Sequence, residues 1–243
     1  VMDGVETDLK EASTLIAEAV GENSRSYAES LKKLAVYYTH VNEYKASEKI
    51  LIKAIDILEE YGKTAKRNES LAETTLLMGN LKVKQGNLKE ALVYYKRTAE
   101  AYKKNFNEKH PKYLHTLGKL AKVYTEKGDI NKATILLEET TQGYLEYINH
   151  YFPALTEREK GKFWNIMRSD FEYFNVLAIH QREKNPKLLS KVFNDLMVTK
   201  SLILNSSIQL RKKIVSSGDE ELVKDFDEWL LKKTELMLIL QKG

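Results

Sequence analysis

The sequence predicts an all-α protein: a right-handed superhelical stack of three helical hairpins and a leading half, followed by a C-terminal bundle of three longer helices. Three observations predict it. A pattern of apolar, small and turn positions recurs three times, its copies beginning near Ala28, Ala72 and Leu114, 44 and 42 residues apart. A fixed period of that length marks a stacked array of helix pairs. Only 11 glycines and 3 prolines occur among 243 residues, and a 30% share of interspersed charges suits helices with long solvated faces. No segment shows the sustained alternation of a strand.

Upstream of the first copy, Val5, Leu9, Ala12 and Ile16 read as the second helix of a truncated leading repeat. Copy one carries Leu31, Leu34, Ala35 and Tyr38 on its first helix, Asn42 at the turn, and Tyr44, Ser47, Leu51 and Ala54 on its second. Copy two has Thr75, Met78, Gly79, Lys82, Gly86, Leu88, Ala91, Tyr95 and Thr98 at the same steps. Copy three has Leu117, Leu120, Ala121, Tyr124, Gly128, Ile130, Ala133, Leu137 and Thr140. The small residues Ala35, Gly79 and Ala121 mark where paired helices approach closely, and Ser47, Ala91 and Ala133 allow the same from the second helix. Tyr38 and Tyr124 fill the space between hairpins, and Lys82 departs from that aromatic rule. Glycine at the turn ends a helix in the left-handed conformation at little steric cost. Pro111 presets the start of copy three.

Near Tyr151 the period ends, giving an expected division into repeats over 1–148 and long helices over 149–243. Thr156 and Glu159 form a capping box. Phe163, Ile166, Met167, Phe171, Phe174 and Ala178 then make one apolar stripe. Asn185-Pro186 caps the next helix, striped by Leu189, Phe193, Leu196, Leu204 and Ile208. Beyond Ser216-Ser217-Gly218-Asp219, a third helix carries Leu222, Phe226, Trp229, Leu230, Leu236 and Leu240. The aromatic residues of these helices read as a mutual core, with Trp164 and Tyr173 off the main stripe.

Composition excludes several function classes. The net charge of +4 is small against 39 basic and 35 acidic residues, and basic pairs such as Lys32-Lys33 and Lys103-Lys104 are scattered. A nucleic acid is therefore not expected as a direct ligand, since that function needs a concentrated basic stripe. Without cysteine there is no disulfide, thiolate metal site or cysteine nucleophile, which fits a reducing, cytoplasmic setting. No apolar run reaches the roughly 18 residues of a membrane span. The start, Val1-Met2-Asp3-Gly4, lacks the regions of a signal peptide and enters mid-pattern, so the sequence reads as a piece of a longer protein. His110 and His115 are five apart, not the four of a helical metal pair, and read as connector histidines. Glu59-Glu60 and Glu138-Glu139 read as solvated pairs. With no phosphate loop or nucleophile elbow, neither a cofactor, a metal nor a catalytic residue is expected in this chain.

Tyr27-Ala28-Glu29-Ser30-Leu31-Lys32-Lys33-Leu34-Ala35-Val36-Tyr37-Tyr38 and His110-Pro111-Lys112-Tyr113-Leu114-His115-Thr116-Leu117 resemble the longer tetratricopeptide repeats of kinesin light chains. That resemblance covers about residues 5–145 and implies protein–protein recognition through a concave groove lined by first helices. It points Glu29, Lys32, Val36, Thr39, Glu73, Leu76, Asn80, Val83, His115, Gly118, Lys122 and Thr125 inward to a protein or peptide ligand. The carboxylate clamp of chaperone-tail binders would need lysine then asparagine on one helix; Lys32 is followed by Val36, which argues against that ligand class.

Phe152-Pro153-Ala154-Leu155-Thr156-Glu157-Arg158-Glu159-Lys160, Thr199-Lys200-Ser201-Leu202-Ile203-Leu204-Asn205-Ser206-Ser207, Arg211-Lys212-Lys213-Ile214 and Ser217-Gly218-Asp219-Glu220-Glu221-Leu222 are similar to segments of bacterial proteins joining such repeats to a CHAT domain. The resemblance implies a non-catalytic sensor or regulatory arm, with a caspase-like cysteine protease domain in cis beyond residue 243. The alternative is a standalone adaptor that binds a peptide or helix of a partner.

Overall fold

The computed structural model describes residues 2–62 and 68–240; for 2–3, 154, 157, 201–211, 213, 230 and 233–240 it describes the backbone only. The described residues form ten α-helices, one short 3-10 turn and no strand. They are α1 (Met2–Val20), α2 (Arg25–His40), α3 (Tyr44–Gly62), α4 (Glu69–Lys84), α5 (Leu88–Asn105), α6 (Pro111–Glu126), α7 (Ile130–Tyr151), the turn Phe152–Ala154, α8 (Glu157–His180), α9 (Lys187–Ser216) and α10 (Glu220–Leu240). The pairs α2/α3, α4/α5 and α6/α7 are the three hairpins, and α1 is the leading half.

The same turn chemistry closes all three hairpins. Asn42, Gly86 and Gly128 hold φ of 64°, 76° and 81°. The next residue then donates its N–H back along the first helix: Glu43 to Tyr38 O, Asn87 to Lys82 O and Asp129 to Tyr124 O, at 2.8–2.9 Å. This bond satisfies a carbonyl the ending helix would otherwise leave unpaired. Asn87 and Asp129 also cap the following helix, accepting from Glu90 N and Lys132 N at 3.2 Å. One short segment thus stops one helix and starts the next.

Packing repeats with the hairpins. Ala28, Leu31, Ala54, Ile57 and Leu58 form one buried cluster, and Ala35, Leu51, Ile55, Met78 and Leu81 a second that already includes α4. Ala91, Tyr95, Ala99, Leu117, Leu120 and Val123 join α5 to α6. Each large side chain buried this way contributes about 1.5–3 kcal/mol. Lys82, the departure from the aromatic rule, is 5% exposed and reaches Glu48 and Glu90, both at 2.7 Å. Its stem fills the space of a ring. Tyr38, its counterpart, likewise donates to a carboxylate of the preceding helix, Glu6 at 2.7 Å.

Three expectations need correction. In α1 the inward positions include Glu6, Leu9, Ser13 and Ile16, while Val5 and Ala12 are exposed. On α9, Leu188, Val192, Asp195 and Thr199 face inward, whereas Leu189, Phe193 and Leu196 are exposed, Phe193 by 62%. Both rows have helical spacing one residue apart, so periodicity alone does not choose between them. Asn185 does not cap α9 through its side chain: Pro186 holds the cap position without a side-chain bond. The capping box of α8 is present, Thr156 N donating to Glu159 at 2.9 Å and Glu159 N to Thr156 at 3.3 Å. The side chains of Leu204, Ile208, Leu230, Leu236 and Leu240 lie outside the described residues.

The chain divides into two compact units. One holds residues up to Tyr144 together with Ile166–Leu177, and the other Leu145–Asn165 and everything from Ala178. The segments of the two units alternate along the sequence. The expected mutual aromatic core is divided accordingly: Phe171 and Phe174 are buried in the first unit, Phe171 beside Tyr144 at 5.8 Å between ring centres. In the second unit Tyr147 packs on Phe163 at 5.2 Å, and Phe226 stacks on Trp229 at 5.5 Å. Trp164 and Tyr173 are half-buried.

A candidate protein-binding groove

The first helices α2, α4 and α6 line a groove of about 410 Å³ in the first unit. Five of the inward positions read from sequence lie on it: Val36, Thr39, Asn80, Val83 and Lys122. Leu77, Tyr95, Lys119, Val123, Glu126, Lys84 and His40 join them, which the sequence reading did not single out. Tyr95 reaches the groove because residue 79 is glycine: a Cβ there would lie 2.5 Å from its ring. The Tyr95 hydroxyl then donates to Asn80 at 2.8 Å. Copies one and three have alanine at this position facing leucine, so the Gly79–Tyr95 pair is a matched exchange of volume. It was legible only as a pair.

The remaining inward residues are committed to partners within the chain. Lys32 bonds Glu29 at 2.6 Å and Glu73 at 2.8 Å, and Glu29 also accepts from Ser70. Glu73 takes Lys112 at 2.7 Å, and Lys112 extends to Glu69. These bonds make a ladder of alternating charge from α2 through α4 to α6. Burial would raise the Glu73 carboxyl, but bonds from Lys112 and Lys32 overcome this and hold it below the usual carboxylate value. Leu76 packs on the α5/α6 core cluster. Thr125 turns back to Ala121 O at 3.1 Å.

His115, Gly118 and Lys122 meet the middle of α8. The side chain of Asp170 is fully buried there, with His115 Nδ1 at 2.9 Å, Lys122 Nζ at 3.1 Å and the Tyr144 hydroxyl at 3.0 Å. A Cβ on Gly118 would lie 2.7 Å from that carboxyl, so glycine makes the room for it. Burial pushes the Asp170 carboxyl up, but the bond from His115 and the charges of His115 and Lys122 win and hold it below its ordinary value. Lys122 also lies over the Tyr173 ring at 5.2 Å. Nothing local in the sequence couples residues 48 to 55 positions apart, which is why this cluster went unread. His110, by contrast, is a connector histidine that caps α6, accepting from Lys112 N at 3.3 Å and stacking on Phe106 at 4.1 Å. Among the described residues no group of three or more His, Asp or Glu could hold a metal ion, and no helix is long and apolar enough to cross a membrane.

Comparison with known proteins agrees with the helical-repeat fold. No curated protein matches the sequence. The solved structure of BtubC (BKLC) from P. vanneervenii is similar over 100% of this chain and 93% of its own, with a TM-score of 0.62 at 13% identity. A putative kinesin light chain from Podosopora anserina with nearly identical TPR-like repeats is similar over 82% of this chain and 88% of its own, with a TM-score of 0.57 at 16% identity. At such identities the likeness is one of fold. Residues 70–146 match the tetratricopeptide repeat family, and this chain has the fold of a tetratricopeptide-type helical repeat protein.

Proposed function

We propose that this chain is a non-catalytic protein–protein interaction scaffold whose groove across α2, α4 and α6 takes a peptide or helix of another protein, and that it is the regulatory arm of a caspase-like CHAT protease. The observation that carries the first part is the groove itself, which joins three repeats and mixes apolar side chains (Val36, Leu77, Val83) with polar ones (Thr39, Asn80). Such a surface suits a segment anchored by a few apolar side chains and oriented by hydrogen bonds. The second part rests on the likeness of the segments between Phe152 and Leu222. A standalone adaptor is the alternative, favoured because every residue of the groove lies in the unit that holds the repeats.

A photo-crosslinking residue placed at Val36 or Val83 of the full chain tests the groove in cells. Capture of one protein from both positions, but not from Val93 (63% exposed on α5), is expected. Equal capture from Val93 would remove the reading. With that partner bound, altered hydrogen exchange over 157–240 supports a regulatory arm, and unchanged exchange favours the adaptor.

A further inference from the structure

Five lysines of the repeats are buried or half-buried: Lys32, Lys82, Lys112, Lys119 and Lys122. Four of them end on carboxylates, Lys32 on Glu29 and Glu73, Lys82 on Glu48 and Glu90, Lys112 on Glu69 and Glu73, Lys122 on Asp170. Lys119 is the exception. Among the described residues no carboxylate lies within ion-pair distance of its ammonium and no hydrogen-bond acceptor meets it. It lines the groove, where the other titratable groups are His40, Lys84, Tyr95, Lys122 and Glu126. Glu126 stands two turns further along α6, roughly 10 Å away by helical rise. Leu77, Val83 and Val123 give the groove an apolar lining. Burial pushes the Lys119 pKa down, and the nearby charge of Lys122 adds to this against a smaller opposing pull from Asp170.

These surroundings make a nucleophile. A lysine desolvated among apolar groups, or set beside a second cation, keeps more of its amine unprotonated, and only the unprotonated amine attacks a carbonyl carbon. Lys119 has both features and open space in front of it. Burial would lower Lys32, Lys82 and Lys112 as well, but bonds to their carboxylates outweigh it and raise them. We propose that Lys119 is a covalent modification site, taking a short acyl group from an acyl thioester and holding its aliphatic part in the apolar lining of the groove. In that step the Lys119 nitrogen attacks the thioester carbonyl carbon, the N–C bond forms and the C–S bond breaks. The departing thiolate takes up the proton that the nitrogen sheds, and nothing is oxidised or reduced. The groove, about 410 Å³, leaves room for the added group. The product is a neutral amide in place of a half-buried cation without a counter-charge, so the modification relieves a destabilising feature and removes a positive charge from the groove. The assignment does not depend on which partner the groove takes.

The test incubates the folded full chain with S-acetyl-N-acetylcysteamine, a small acetyl thioester, and follows each lysine by quantitative peptide mass spectrometry. Lys119 is expected to be acetylated several times faster than Lys49 on α3 and Lys96 on α5, both exposed. That advantage should vanish in denaturing urea, where the apolar lining is gone. Lys119→Gln, which carries a neutral amide like the one the reaction leaves, should melt no lower than the parent. Acetylation of Lys119 no faster than that of Lys49 and Lys96 in the folded chain would overturn the proposal. So would an advantage that persists in urea, since it would then belong to the local sequence and not to the groove. A lower melting temperature for Lys119→Gln would overturn it as well, by showing that the ammonium already has a stabilising partner.

Discussion

Two stretches of α6 meet their surroundings in opposite ways. On one face of the helix, His115, Gly118 and Lys122 close around Asp170 of α8, a fully buried carboxylate given three partners. On the neighbouring face Lys119, one residue from Gly118, opens onto the groove without a counter-charge among the described residues. The difference teaches that an inward-pointing charge of a repeat array is either closed within the chain, as Lys122 is by Asp170, or left open, as Lys119 is among the described residues.

Breaking the closed stretch should have the largest effect. Asp170→Ala leaves His115, Lys122 and Tyr144 without their shared partner, and removing one member of a buried ion pair costs about 3 kcal/mol. Urea unfolding should show that loss, and a change below about 1 kcal/mol would mean that α8 is not held there by charge. The next effect is smaller. Gly79→Ala, favourable by about 1 kcal/mol in an exposed helix, should here destabilise by about 2 kcal/mol because its Cβ meets the Tyr95 ring. Tyr95→Leu in the same chain should restore most of it, since the pair then matches copies one and three. Failure of that rescue would show that the exchange of volume is not what couples the two positions.

Acid gives the mildest test. The Asp170 carboxyl is held below its ordinary value, so its contribution is fully present above the unfolded value of about 3.9 and is lost as pH falls through the lower folded value. The stability gap between the parent and Asp170→Asn should therefore hold from neutral pH down to about 4 and close below it. A gap that stays constant to pH 2 would contradict an ionised Asp170.

Much of the fold could be read from the sequence because each repeat encodes its own ends. Asn42, Gly86 and Gly128 sit where the left-handed turn needs them, and Ala35 and Ala121 where helices touch. Five of the fourteen residues lining the groove, Val36, Thr39, Asn80, Val83 and Lys122, followed from the resemblance to the repeat family. What escaped depended on partners distant in sequence. Lys82 looked like an exception until Glu48 and Glu90 accounted for it, and Asp170 has no local signature at all. On α9, two parallel apolar rows offered the same period, and only packing selects Leu188 and Val192 over Leu189 and Phe193. Lys119 escaped for a different reason: an unpaired lysine is recognisable only once every neighbour has been placed.

The most direct test of this contrast is the titration of the Lys119 ammonium in the free full chain, followed by side-chain NMR of lysine-labelled protein with Lys119→Gln as the assignment control. A half-buried cation facing an open groove should lose its proton below the ordinary lysine value of about 10.4. Titration at or above the ordinary value in the free protein would mean that Lys119 already has a counter-charge, and the distinction between the two stretches of α6 would fall.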